Sequence, residues 1–201
     1  MQPQPFLPGF EPPPLPPMNG RAGHGGDPLF FAVQPDSTAA QRLFALAVSL
    51  RQDHQLKGAP SPAERLHISL RGLYVPRHRV DAAAKRLIDA ARLDMPAIDI
   101  ALDRAMSFNS GSGDRPLVVT GIGEELLYLQ ARTDWAMSDV GFANGTIGRA
   151  FKPHITLLHD RHAVPETVIE PIAWTIREVV LQHSLWGLGQ HRILARWRLR
   201  G

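Results

Sequence analysis

Apolar positions along this chain fall into short bulky runs that alternate with stripes at three- and four-residue spacing. The first run, Leu29-Phe30-Phe31-Ala32-Val33, lies between Pro28 and Pro35 and predicts a buried strand. Asp36 or Ser37 then caps a helix whose Leu43, Leu46, Ala47 and Leu50 form one apolar stripe. A turn over Gly58 to Pro62 leads to a strand at residues 65–74, and a helix follows from about Arg77 to Leu93 with Val80, Ala84, Leu87, Ile88 and Ala91 facing inward. Pro96 resets the chain. Strands are expected at 97–107 and 116–122, a helix at 124–139 bearing Leu126, Leu127, Leu129 and Trp135, and strands near 152–159, 172–184 and 190–199. Strands outnumber helices, Gly187-Leu188-Gly189 supplies a short late turn, and no phosphate loop follows the first strand. The expected fold class is α+β with mostly antiparallel sheet. Each half carries one histidine motif in a strand with a helix nearby, which suggests two related lobes.

Residues 1–27 break this pattern. They hold 8 of the 18 prolines and end in the glycine-rich run from Gly20 to Gly26, a composition that predicts a disordered leader ahead of one folded domain at 28–201. The chain as a whole is 44% hydrophobic and 20% charged, enough apolar content for a real core. It has no cysteine, which removes disulfides, thiolate metal sites and cysteine nucleophiles together. A net charge of +3 makes the surface mildly basic and favours an anionic partner without demanding one. No apolar run approaches the roughly 18 residues of a membrane span, and the N-terminus lacks a signal-peptide pattern, so a cytoplasmic monomer is expected.

The chemistry concentrates in two copies of one short pattern, His67-Ile68-Ser69-Leu70 and His154-Ile155-Thr156-Leu157. In a strand, side chains alternate between faces, so each copy presents an imidazole and a hydroxyl on one face and two aliphatic residues on the other. Two histidines straddling a groove suit phosphoryl transfer through a ribose hydroxyl. One takes a proton from the attacking water and the other protonates the leaving oxygen, and an imidazole pKa near 6.5 allows both states near neutrality. Ser69 and Thr156 can donate to nonbridging phosphate oxygens as charge builds there. No metal or other cofactor is called for. Three other readings stay open. Each histidine can be a half-buried strand residue bonded to backbone; His154, His159 and His162 can form a metal site, although on a continuous strand His154 and His159 point to opposite faces; and the domain can bind RNA without turnover. His54, His78, His183 and His191 have no comparable setting and are expected to be surface or structural residues. Phe151 and Trp186 are candidates for stacking on a base, with core packing as the plainer expectation.

With these motifs, the opening strand Leu29-Phe30-Phe31-Ala32-Val33, the stretch Val179 to Ser184 and Trp197-Arg198-Leu199, the chain resembles the two-histidine (2H) phosphoesterase superfamily. The likeness is to its 2′-5′ RNA ligase-like branch, also described as RNA 2′,3′-cyclic phosphodiesterases, and spans about residues 29–200. The resemblance implies a bilobal fold with a pseudo-twofold axis, a central groove between the histidine strands, no cofactor, and RNA ends or a small nucleotide as substrate. It implies His154 as base and His67 as acid in hydrolysis, with the roles exchanged for ligation. Ser69 and Thr156 would hold the phosphate, and Arg71 and Lys152 would lie near neighbouring phosphates. The chain departs from the family pattern in having Ser69 where threonine is usual and Leu158-His159 where an arginine often follows the second motif. Arg71-Gly72-Leu73 also lacks the aromatic residue commonly found after the arginine.

Overall fold

A computed structural model describes residues 26–109, 113–121, 123–142, 151–185 and 190–201. In chain order the strands are β1 (Gly26–Val33), β2 (Ile68–Pro76), β3 (Ile98–Ser107), β4 (Arg115–Thr120), β5 (His154–Asp160), β6 (Thr167–Ile176), β7 (Glu178–Leu185) and β8 (Gln190–Arg198). The helices are α1 (Ser37–Asp53), α2 (Val80–Ala90) and α3 (Glu124–Asp139). The strands form one antiparallel sheet in the order β6-β3-β4-β5-β2-β1-β7-β8, and with its helices this is an α+β fold.

The apolar pattern accounts for most of these elements. Asp36 caps α1, its carboxylate accepting from the Ala39 amide at 2.8 Å, and Leu43, Ala47 and Leu50 point inward. On one sheet face every second strand residue joins the inner residues of all three helices in a single core. On the other face, among the described residues, Phe30, Ala32 and Val180 are buried together, with Ile193 against them. The helices therefore cover one face and leave the other open.

Several expectations need correction. Residues 172–184 are not one strand: Arg177 separates β6 from β7. The apolar alternation changes phase there, from Ile172, Trp174 and Ile176 to Val179 and Leu181, all buried in the same core. β6 and β7 lie six positions apart in the sheet, which at roughly 4.8 Å per strand would separate them by about 29 Å if the sheet were flat. A one-residue link cannot span that, so the sheet curls and brings its two ends together. A bridge between Pro96 and Arg200 ties the same region. Helix α2 is shorter than expected, because residues 77–79 form a 3-10 turn before it. Ile88 is exposed, not inward, and Leu127 and Trp135 of α3 are exposed as well. β1 begins at Gly26, three residues before the expected strand, and Asp27 is buried, accepting from His183 Nε2 at 2.9 Å and from Arg77 Nε at 3.2 Å. The rest of the expected leader, with His24, lies outside the described residues, as do Trp186 and the turn Gly187-Leu188-Gly189. No helix among the described residues is long and apolar enough to cross a membrane.

Candidate functional site

The two motifs meet at the middle of the sheet. β2 and β5 pair through one residue pair, Ile68 with Ile155, and both side chains are fully buried on the helix-covered side. In that antiparallel register His67 lies across from Thr156 and Ser69 across from His154. The four polar residues thus alternate imidazole and hydroxyl around the seam, on the open face, with an isoleucine pair beneath. Ser69 is exposed; His67, His154 and Thr156 are partly buried.

Local backbone orients each imidazole in the same way. His67 Nδ1 donates to the Arg65 carbonyl and His154 Nδ1 to the Lys152 carbonyl, each at 2.7 Å. A carbonyl only accepts, so Nδ1 carries the hydrogen in both rings. In the neutral form Nε2 is then the basic atom, and in the charged form it is the acidic one. Each ring also rests on a phenylalanine: Phe30 lies 5.2 Å from His67 and Phe108 lies 4.9 Å from His154, centroid to centroid.

His67 differs from His154 in its electrostatic surroundings. Burial, and then the charges of Arg65 and His154, push the His67 pKa below the ordinary imidazole value, outweighing the stabilising bond to the Arg65 carbonyl. The influence of His154 on His67 means that the two imidazoles share one electrostatic site. A third ring, His191 from β8, lies 5.1 Å from His67 and 5.5 Å from Phe30. Its pKa is pushed down to about 4 by burial and by the charges of His67 and Arg65. The sequence grouped His191 with surface or structural histidines; the sheet order β2-β1-β7-β8 carries it to the site instead. Arg65, Phe30 and Phe108 also went unrecognised, because nothing in the local pattern announces a carbonyl or ring supplied from outside the motif.

Both motif strands carry a bulge one residue after the hydroxyl. On β2 the register shifts between Ser69 and Arg71, leaving Leu70 as the extra residue; on β5 it shifts between Thr156 and Leu158, leaving Leu157. A bulge puts two successive side chains on one face. Arg71, which simple alternation places beside His67 and Ser69, therefore turns to the helix side. There its Nε meets Asp134 of α3 at 2.7 Å. Half-burial of the Asp134 carboxyl raises its pKa despite Arg71 and a hydrogen bond from Gln130. Arg71 is thus engaged with α3, on the side away from the open face. The same shift corrects the reading of His159. With Leu157 and Leu158 both buried, His159 shares the open face with His154 and donates from Nδ1 to Asp114 at 2.8 Å. Among the described residues no three His, Asp or Glu side chains converge as a metal site needs. Lys152 is exposed beside the second motif, and Phe151 packs against the core.

Comparison with known proteins places this geometry in a family. A search of curated sequences returned no match. Among solved structures, Escherichia coli LigT in its apo form is 24% identical with a TM-score of 0.63, the match covering 88% of this chain and 99% of that one. TT0787 of Thermus thermophilus is 21% identical with a TM-score of 0.66, covering 87% of this chain and 98% of that one. E. coli LigT complexed with NADP+ is 25% identical with a TM-score of 0.62, covering 88% and 99%. A family profile described as the 2′-5′ RNA ligase superfamily matches residues 35–185, which include both histidine motifs and the seam between them. With three quarters of its length matched, the chain belongs to the 2′-5′ RNA ligase superfamily.

Proposed function

We propose that this chain is a metal-independent phosphoesterase that opens RNA 2′,3′-cyclic phosphate ends to 2′-phosphates, and can join a 2′-5′ linkage when an RNA 5′-hydroxyl takes the place of the attacking water. The observation that carries this reading is the seam itself. Two imidazoles with the same tautomer are set diagonally around two hydroxyls, as an in-line displacement at phosphorus requires. In hydrolysis His154 Nε2 takes the proton of a water whose oxygen attacks phosphorus. As the bond from phosphorus to O3′ breaks, His67 Nε2 delivers its proton to O3′. Ser69 and Thr156 donate to the nonbridging oxygens, and Lys152 supplies a positive charge at the rim. The free protein disfavours a charged His67. A phosphate anion seated between the two rings offsets that, so the acid acquires its proton as substrate binds. The curled sheet supports a groove between two lobes at the seam, and action as a monomer in the cytoplasm belongs to the same proposal.

The test is turnover of a short RNA with a 2′,3′-cyclic phosphate end, in EDTA, by the wild type, His67→Ala and His154→Ala. The reading expects a 2′-phosphate product from the wild type and almost none from either variant. Near-full activity in both variants, or activity abolished by EDTA alone, would overturn it. A second reading, a small nucleotide substrate, is favoured by the NADP+ bound to LigT. Turnover of mononucleotide cyclic phosphates with none on RNA ends would select it.

A further inference from the structure

The second histidine has one aromatic neighbour among the described residues, but the first sits in a cluster of three rings. Phe30 from β1 and His191 from β8 each lie within 5.5 Å of the other and of His67, and the His191 ring meets both in edge-on fashion. Phe30 is anchored in the small apolar cluster with Ala32, Val180 and Ile193, so this wall rests on a packed floor. His191 Nδ1 is buried and has no hydrogen-bond partner. The charges acting on His67 are those of Arg65 from its own segment and His154 from β5, and the charge of His67 in turn acts on His191 from β8. With its pKa pushed down to about 4, His191 is neutral near pH 7. It therefore meets His67 as an aromatic surface, not as a charge.

We propose that His191 is a positioning residue for His67: with Phe30 it clamps the imidazole so that Nδ1 stays on the Arg65 carbonyl and Nε2 faces the seam, and it keeps water off the ring. The consequence for turnover rests on the reading of His67 as a proton donor, but the clamp itself does not. A shielded ring is harder to charge in the free protein, and one held in a single rotamer loses no time to unproductive orientations.

The experiment is an NMR titration of the His67 ring, without substrate, in the wild type, His191→Ala and His191→Phe. The wild type should titrate below the ordinary value of 6.5 with the Nδ1–H tautomer. His191→Phe keeps a neutral ring and should preserve both properties. His191→Ala opens the site to water, and should move the midpoint up towards 6.5 and mix the tautomers. A His191→Ala ring that titrates like the wild type, or a His191→Phe ring that shifts as far as the alanine variant, overturns the proposal. Where the chain turns over cyclic phosphate, His191→Ala should lower kcat by about tenfold or more with little change in KM, and His191→Phe should restore it. Because the titration needs no substrate, a failure of the assigned reaction leaves this result standing.

Discussion

Strands β2 and β5 solve one problem twice and then diverge. Both present histidine and hydroxyl on the open face, both lock Nδ1 onto the carbonyl two residues earlier, and both bulge one residue past the hydroxyl. Past the bulge the similarity ends. Arg71 on β2 reaches Asp134, where β5 has the buried Leu158. Two residues further, β2 has the apolar Leu73 and β5 has Asp160, whose carboxylate accepts from the amides of Lys57, Gly58, Arg161 and His162. What the strands share faces the seam; what differs faces the helices and connections that each half must hold separately. The acid and base pair proposed at the seam calls for like placement of the two histidines, whereas packing behind it does not.

That comparison can be tested at four depths. The largest effect belongs to the histidines. Removing either should lower kcat by about a hundredfold to ten-thousandfold with an unchanged melting curve, as acid and base roles do. A loss confined to one of the two would show that the symmetry of the seam is only geometric. Next come the hydroxyls. Ser69→Ala and Thr156→Val should each reduce kcat by about tenfold to a hundredfold, since each removes one donor to a developing charge. Ser69→Thr should retain activity, because it only restores the residue that β5 already has.

Behind the sheet, effects should move from rate to stability. Arg71→Leu copies β5 onto β2 and leaves the Asp134 carboxylate with Gln130 but without its cation, so urea unfolding should show a loss of about 1–3 kcal/mol. Adding Asp134→Leu should recover most of it, as apolar replacements of such pairs often do. In neither variant should kcat change appreciably; a large drop would return Arg71 to the open face. The smallest effect concerns acid. Backbone hydrogen bonds from His162 and Gly58 hold the Asp160 carboxyl well below the usual carboxylate range, against the opposing influence of burial. A depressed folded value contributes stability that is present above the unfolded value of 3.8 and is lost as pH falls through the folded one. Thermal unfolding of Asp160→Asn should therefore lose less on acidification below about pH 4 than the wild type does. An unchanged acid dependence would mean that the loop anchor is not electrostatic.

Much of this architecture was legible in advance because it is written in short-range pattern. Helix α3 was expected at its observed bounds, and Asp36 was recognisable as the cap of α1, since periodicity and capping involve residues only a few positions apart. The paired motifs stood out for the same reason. The break between β6 and β7 was also present, as a change of phase at Arg177, but it was hidden inside an apolar stretch that still alternated on either side. His159 was placed on the face opposite His154 because alternation assumes an unbulged strand. A bulge depends on how a strand twists against its neighbour, which the strand's own residues do not declare.

Local spacing was enough to place most of the strands and helices and to show two histidine and hydroxyl pairs presented alike, because those properties involve residues only a few positions apart. The assembled sheet was needed to show that the pairs meet across a single isoleucine contact, that Arg71 turns to a helix, and that His191, 124 residues beyond His67, closes on its ring. Those outcomes depend on strand order and register, which are set by the summed packing of the whole sheet and by no one segment of it.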